Sequence, residues 1–226
     1  MICDTSREAV EAKLEQWRKA LEDRGLKISR KKTEYLRFNE DHESEIVMDR
    51  EKLNRVEKFK YLGSTVAKDG NLDVEIAHRV QAGWRNWRRM SGDLCDRRIN
   101  VKVKGRVHKT VVRPAMLHGA ETWPVKKVQE KRLDVAEMKM LRWMCGVTKR
   151  DRIRNERIRG TTKVIEVSKK AQERRMKWYG HVRRREENHV LRRVSEMEVP
   201  GRRGRGRPKR RWMDVLNEDL KEKRLT

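Results

Sequence analysis

The stretch Asp73-Val74-Glu75-Ile76-Ala77-His78-Arg79-Val80-Gln81-Ala82-Gly83-Trp84-Arg85-Asn86-Trp87-Arg88-Arg89 decides the fold. Ile76, Val80, Trp84 and Trp87, continued by Leu94, recur at the spacing of one helix face. Downstream, Val103, Val107 and Val111 form a second such stripe, interrupted by Pro114, and Leu133, Ala136, Met140 and Met144 form a third. Three amphipathic helices in succession between about residues 72 and 146 predict a small bundle. Alternating arginines follow over 149–160. Val167, Ala171 and Trp178 then predict a helix over about 166–180, and Trp212, Val215, Leu216 and Leu220 a short final one. Upstream, Ser6 is a cap for a helix over 6–24, in which Ala9 or Val10, Leu14, Trp17 and Leu21 are the apolar positions. Gly25 suits the left-handed residue that ends it. Thr33 to Phe38, Ile46 to Met48 and Val56 to Gly63 read as short strands, 39–45 as a polar loop and Asp69-Gly70 as a turn. The expected fold class is mainly α with a small α+β part.

Charge separates the two regions. The chain has 226 residues, with 60 lysines and arginines against 35 acids, a formal charge of +25. Residues 1–58 hold 14 basic and 14 acidic side chains, so the rest carries the whole excess. Only 35% of residues are hydrophobic, below the roughly 45–50% of ordinary globular domains. Three cysteines cannot build a disulfide scaffold, no apolar run reaches the length of a membrane helix, and Met1-Ile2-Cys3-Asp4 runs straight into charged sequence. The expectation is an intracellular protein, nuclear or cytoplasmic and not secreted, whose partner is a polyanion. Cys3, Cys95 and Cys145 are far apart and no phosphate loop, HExxH helix or nucleophile elbow is present. Asp93 with Asp96, and Asp69 with Asp73, read as solvated surface.

The cations give the candidate binding residues. Arg85, Arg88, Arg89, Arg97, Arg98, Lys102, Lys104 and Arg106 cluster around the first two bundle helices, where they would contact phosphates without reading bases. A second group, Arg202, Arg203, Arg205, Arg207, Lys209, Arg210 and Arg211, lies in a glycine-arginine segment expected to be disordered alone. Within it Arg205-Gly206-Arg207-Pro208 has the core of an AT-hook, which enters narrow A·T minor grooves; a disordered basic linker or nuclear-import signal is the favoured reading of the same residues. Trp84 and Trp87 could stack bases, but their spacing on an apolar stripe favours core packing. Trp178 and Trp212, among arginines, suit either role.

Several segments in order carry a resemblance. They are Trp17 to Tyr35, Phe59-Lys60-Tyr61-Leu62-Gly63-Ser64, Arg113 to Thr122, Leu141-Arg142-Trp143, Trp178-Tyr179-Gly180-His181-Val182-Arg183, and Gly206 to Asp214. Together they resemble the C-terminal part of the endonuclease/reverse transcriptase of non-LTR (LINE-type) retrotransposons, over essentially the whole chain. The resemblance implies a palm remnant over 1–63, with a motif D-like segment in which Lys32 takes the place of the lysine near the triphosphate. Phe59, Lys60, Tyr61, Leu62 and Gly63 take the place of the primer grip, a hairpin. It further implies a thumb-like bundle over 72–148 and a basic C-terminal region with a Gly/Arg tail over 149–226. The family's Tyr-Ala-Asp-Asp-like turn would precede Ser6; here Asp4 stands alone, so the chain is expected not to polymerise DNA by itself. No cofactor is expected in this chain, whereas the full-length family would use Mg2+. The expected partner is an RNA–DNA hybrid, RNA or DNA. The alternative is a co-opted or functionless remnant acting as a non-catalytic DNA-binding or scaffold protein.

Overall fold

A computed structural model of the protein describes residues 1–4, 6–38, 45–197 and 210–225. The chain forms two compact units, Met1–Val74 and Glu75–Thr226.

The first unit opens with helix α1, Arg7–Glu22. Ser6 caps it, its Oγ accepting the Ala9 N–H at 3.1 Å. Gly25, at φ +75°, ends it, and the Leu26 N–H returns to the Leu21 carbonyl at 2.9 Å. Leu14 buries on Met48 and Leu53, with Ile2, Ile28, Tyr35 and Ile46 around them. Trp17, read as part of the apolar face, is exposed instead. The strands are short: β1 Glu34–Tyr35, β2 Val47–Met48, β3 Glu51–Lys52, β4 Asn54–Arg55, β5 Lys58–Tyr61 and β6 Ser64–Ala67. β2 and β3 are antiparallel, as are β5 and β6, whereas β1 and β4 pair in parallel. Both antiparallel pairs are hairpins closed by two left-handed residues, Asp49-Arg50 and Leu62-Gly63. That turn matches the right-handed twist of the strands it joins. Glu11 ties α1 to β2 by accepting the Val47 N–H at 2.9 Å. This hydrogen bond holds the Glu11 carboxyl below the usual carboxylate range.

The second unit is helical. Helix α2, Asp73–Arg89, enters it; then come α3 Ser91–Cys95, α4 Val101–Val107, α5 Arg113–Met116, α6 Lys127–Met144, α7 Asn155–Thr162, α8 Val167–Arg183, α9 Val190–Glu196 and α10 Trp212–Glu222. The core takes Ile76, Trp87 and Leu94 from the first stripe and Leu133, Ala136, Met140 and Met144 from the third. The second stripe is corrected. Val103 and Val111 face solvent, and the buried side of α4 and its continuation carries Lys104, Gly105, His108, Val112 and Arg113. Gly105 is required there because a Cβ would overlap the Thr162 carbonyl, so α4 and α7 pack backbone to backbone. Pro114 does not break the rod. A wide π turn over His108–Val112 precedes it and absorbs the carbonyl that its ring would otherwise meet.

The core is also charged. Glu137, fully buried, accepts Arg113 Nε at 3.0 Å and Nη2 at 2.7 Å on one oxygen and Arg159 Nη1 at 2.8 Å on the other. Arg175 is 1% exposed and donates from Nε to Asp219 at 2.6 Å and from Nη1 to the Trp123 carbonyl at 3.3 Å. Glu75 and Arg79 pair at 2.6 Å within α2. His108 is fully buried, and among the described residues neither ring nitrogen has a hydrogen-bond partner. Desolvation, with Arg113 and Arg159 nearby, pushes its pKa down to about 3.

A pH prediction follows from His108. The unfolded ring takes a proton near its ordinary value of about 6.5, while the folded ring stays neutral until about 3. Its contribution to stability is therefore present above about pH 6.5 and is lost as pH falls towards 3, at about 1.4 kcal/mol per pH unit. Urea unfolding at pH 7 and pH 5 measures this slope. His108→Leu is expected to lose less stability between the two than the parent chain; equal losses would refute the assignment.

Candidate nucleic-acid interface

α2, the loop between α3 and α4, and α4 carry the sequence-predicted cations of the bundle, and the structure sorts them. Arg85, Arg88, Arg89, Arg97, Arg98, Lys102 and Arg106 are exposed. Lys104 is not: it is 4% exposed and its Nζ donates to the Met144 carbonyl at 3.2 Å. It satisfies the end of α6 and is withdrawn from the interface, because a helix terminus leaves carbonyls that need a donor. Arg98 chelates Asp96 with Nε and Nη2 at 2.8–3.1 Å. The pair holds the Asp96 carboxyl below its ordinary range.

Two grooves gather part of this set. The first, about 540 Å³, is lined by Arg97, Arg98, Asn100, Lys102, Thr161 and Lys163 among others, with no carboxylate among the described residues that line it. α7 ends there with Lys163 in the left-handed conformation, φ 54°. The second, about 450 Å³, takes Trp84 and Arg88 from α2, Lys139, Arg142 and Trp143 from α6, and Thr148 and Lys149 from the following loop. Arg85, Arg89 and Arg106 line neither groove.

Arg142 builds the second groove. Its guanidinium donates to the carbonyls of Thr148 at 3.1 Å and Ile153 at 2.9 Å and to Asn155 Oδ1 at 2.9 Å. It thereby pins the loop that carries Lys149. Asp151 folds the same loop by accepting the Thr148 backbone N–H and its hydroxyl, which lowers the Asp151 pKa. Trp84, Trp87 and Trp143 form a triangle of edge-to-face rings with centroids 5.4–5.6 Å apart. Trp87 is core, as its spacing predicts, whereas Trp143 is 58% exposed.

The other predicted positions are elsewhere. Lys32 lies exposed on a single 3₁₀ turn, Arg30–Lys32. Phe59, Lys60 and Tyr61 form β5 and Leu62-Gly63 the hairpin turn. Arg210 pairs with Glu218, and Arg211 is exposed at the start of α10. Arg202, Arg203, Arg205, Arg207 and Lys209 lie outside the described residues, as does the AT-hook-like core. Trp212 donates its Nε1–H to the Glu121 carbonyl at 2.9 Å and packs on Tyr179, which gives it a structural task. Sequence reasoning missed Lys139, Trp143, Lys149 and Lys163. The spacing of Lys139, Arg142 and Trp143 on the side of α6 away from the Leu133 stripe was the available signal. Among the described residues no three His, Cys, Asp or Glu side chains cluster as a metal-holding group, and no helix is long and apolar enough to cross a membrane.

Over 205 residues the chain is 27% identical to a transposon-derived protein of Caenorhabditis elegans, an alignment covering 87% of this chain and 73% of that one. No protein-family model and no solved structure matches the chain.

Proposed function

We propose that the chain derives from a mobile element of the non-LTR retrotransposon type and that its helical unit, Glu75–Thr226, holds nucleic acid by the phosphates as a template–primer clamp. Similarity to a transposon-derived protein supports the origin, and the ordered motifs from Trp17 to Asp214 support the finer assignment. The observation that carries the binding role is the first groove, which Arg97, Lys102 and Lys163 line together with Arg98, the last already paired with Asp96. Lysine and arginine there neutralise phosphates, which fixes position and not sequence. The residues that line the two grooves hold and orient. They include no carboxylate pair to carry metal-assisted phosphoryl transfer.

The test is a titration of the full chain against a fluorescent RNA–DNA hybrid and a DNA duplex of the same sequence at one salt concentration. Preference for the hybrid is expected, because a clamp for template and primer is shaped to the wide, shallow minor groove of A-like geometry. Equal affinity would reduce the binding to charge alone. Preference for the duplex would favour a co-opted DNA-binding role.

A further inference from the structure

We propose that the second groove is a stacking site for one unpaired base of single-stranded nucleic acid, with Trp143 as the platform and Arg88, Lys139 and Lys149 holding the adjoining phosphates. The inference rests on the nucleic-acid reading above and adds to it a part that is not backbone contact.

Trp143 is the anomaly that carries it. A tryptophan in a helical bundle is ordinarily buried, and this one is 58% exposed. It is nonetheless held: its centroid lies 5.6 Å from that of Trp84 and 5.4 Å from that of Trp87, at interplanar angles of 60° and 65°. Those partners sit edge to face with it, so no second ring is stacked flat on it. An aromatic surface already fixed in place loses little side-chain freedom on binding. The surroundings specify an anion beside the ring. Arg88, Lys139 and Lys149 line the groove, and no carboxylate does among the described residues. Thr148 lines the rim with its hydroxyl engaged by Asp151, and Arg142 keeps that rim in position through hydrogen bonds to the Thr148 and Ile153 carbonyls and to Asn155 at the start of α7.

A planar ligand carrying negative charge within one side chain's reach of its ring fits this groove, and an unpaired nucleotide has both features. A paired base does not fit, since its faces are covered by its neighbours in the stack. Arg142 is a positioning residue here: three of its five N–H donors hold the loop and the start of α7, so it acts through Lys149 and Thr148. Stacking is tolerant of base identity because every base has a π face, so the site selects unpaired over paired nucleotides and not one sequence over another.

The experiment uses the full chain with two labelled oligonucleotides of equal length and charge, oligo(dT) and the same backbone without bases. Oligo(dT) is expected to bind more tightly by roughly 5- to 150-fold, the range of one base stacked on an aromatic ring. Trp143→Ala is expected to abolish that difference while leaving affinity for the abasic strand unchanged, and Trp143→Phe to keep most of it. Lys139→Glu is expected to weaken both strands together. Equal binding of the two strands by the parent chain overturns the base site and leaves the phosphate reading standing. A difference that survives in Trp143→Ala also overturns it. Failure of both strands to bind overturns both readings. Circular dichroism of the alanine and phenylalanine variants shows that each is folded when the comparison is made.

Discussion

Replacing Glu137 by glutamine is expected to destabilise the protein by about 3–5 kcal/mol, the cost of leaving buried charge without its partner. The carboxylate is fully buried and serves two arginines, one on each oxygen. Arg113 also donates to the Ile165 carbonyl, and Arg159 donates to the same carbonyl at 3.0 Å. Without the negative charge the two guanidiniums face each other across one acceptor, beside the orphaned His108 ring. Total stability of a domain is about 5–15 kcal/mol, so such a loss removes a large share of it. Chemical denaturation of the parent and Glu137→Gln chains measures the difference. The control is a triple variant with Met at Arg113 and Arg159 and Leu at Glu137. Because apolar replacement of a whole buried triad is often neutral or stabilising, this variant is expected to recover most of the loss. A Glu137→Gln chain as stable as the parent would mean that the network is hydrated and weak.

The second large effect is on binding. If six to ten phosphates are neutralised, affinity for duplex nucleic acid should fall roughly 10³–10⁵-fold between 50 and 200 mM salt. Fluorescence anisotropy across that range measures the slope. Arg97→Ala, Lys102→Ala and Lys163→Ala should each lower the slope by about 1. Lys104→Ala should leave the slope unchanged and lower the unfolding midpoint, because its ammonium is on the Met144 carbonyl and not in solvent. A flat salt dependence in the parent chain would remove phosphate contact as the basis of binding.

That contrast shows what was legible in the sequence. Local rules read well. Ser6 caps α1, Gly25 ends it, and the Leu133 to Met144 stripe faces the core. Long-range pairing did not read. Arg113 and Glu137 are separated by 24 residues and Arg175 and Asp219 by 44, and no local pattern along one helix encodes such a pair. The same cause misled the second stripe. Val103, Val107 and Val111 have helical spacing, yet the opposite face is chosen because Gly105 admits Thr162 and Lys104 and Arg113 meet buried acceptors. Trp143 was visible only as part of a motif. Its exposure depends on where α2 lies against α6, which periodicity along one helix does not encode. The hairpin partner β6 and helix α9 were missed for want of a strong apolar alternation.

The docking of α10 bears on α8 itself. Trp212 is anchored to the Glu121 carbonyl, and Asp219 holds Arg175 and Gln172 of α8. Glu222, at the far end of α10, takes a second hydrogen bond from Gln172 at 3.0 Å. A chain cut before Trp212 would therefore lose more than one helix: it would strip the buried Arg175 of its carboxylate and Gln172 of both these acceptors, and leave a bare charge on the inner face of α8.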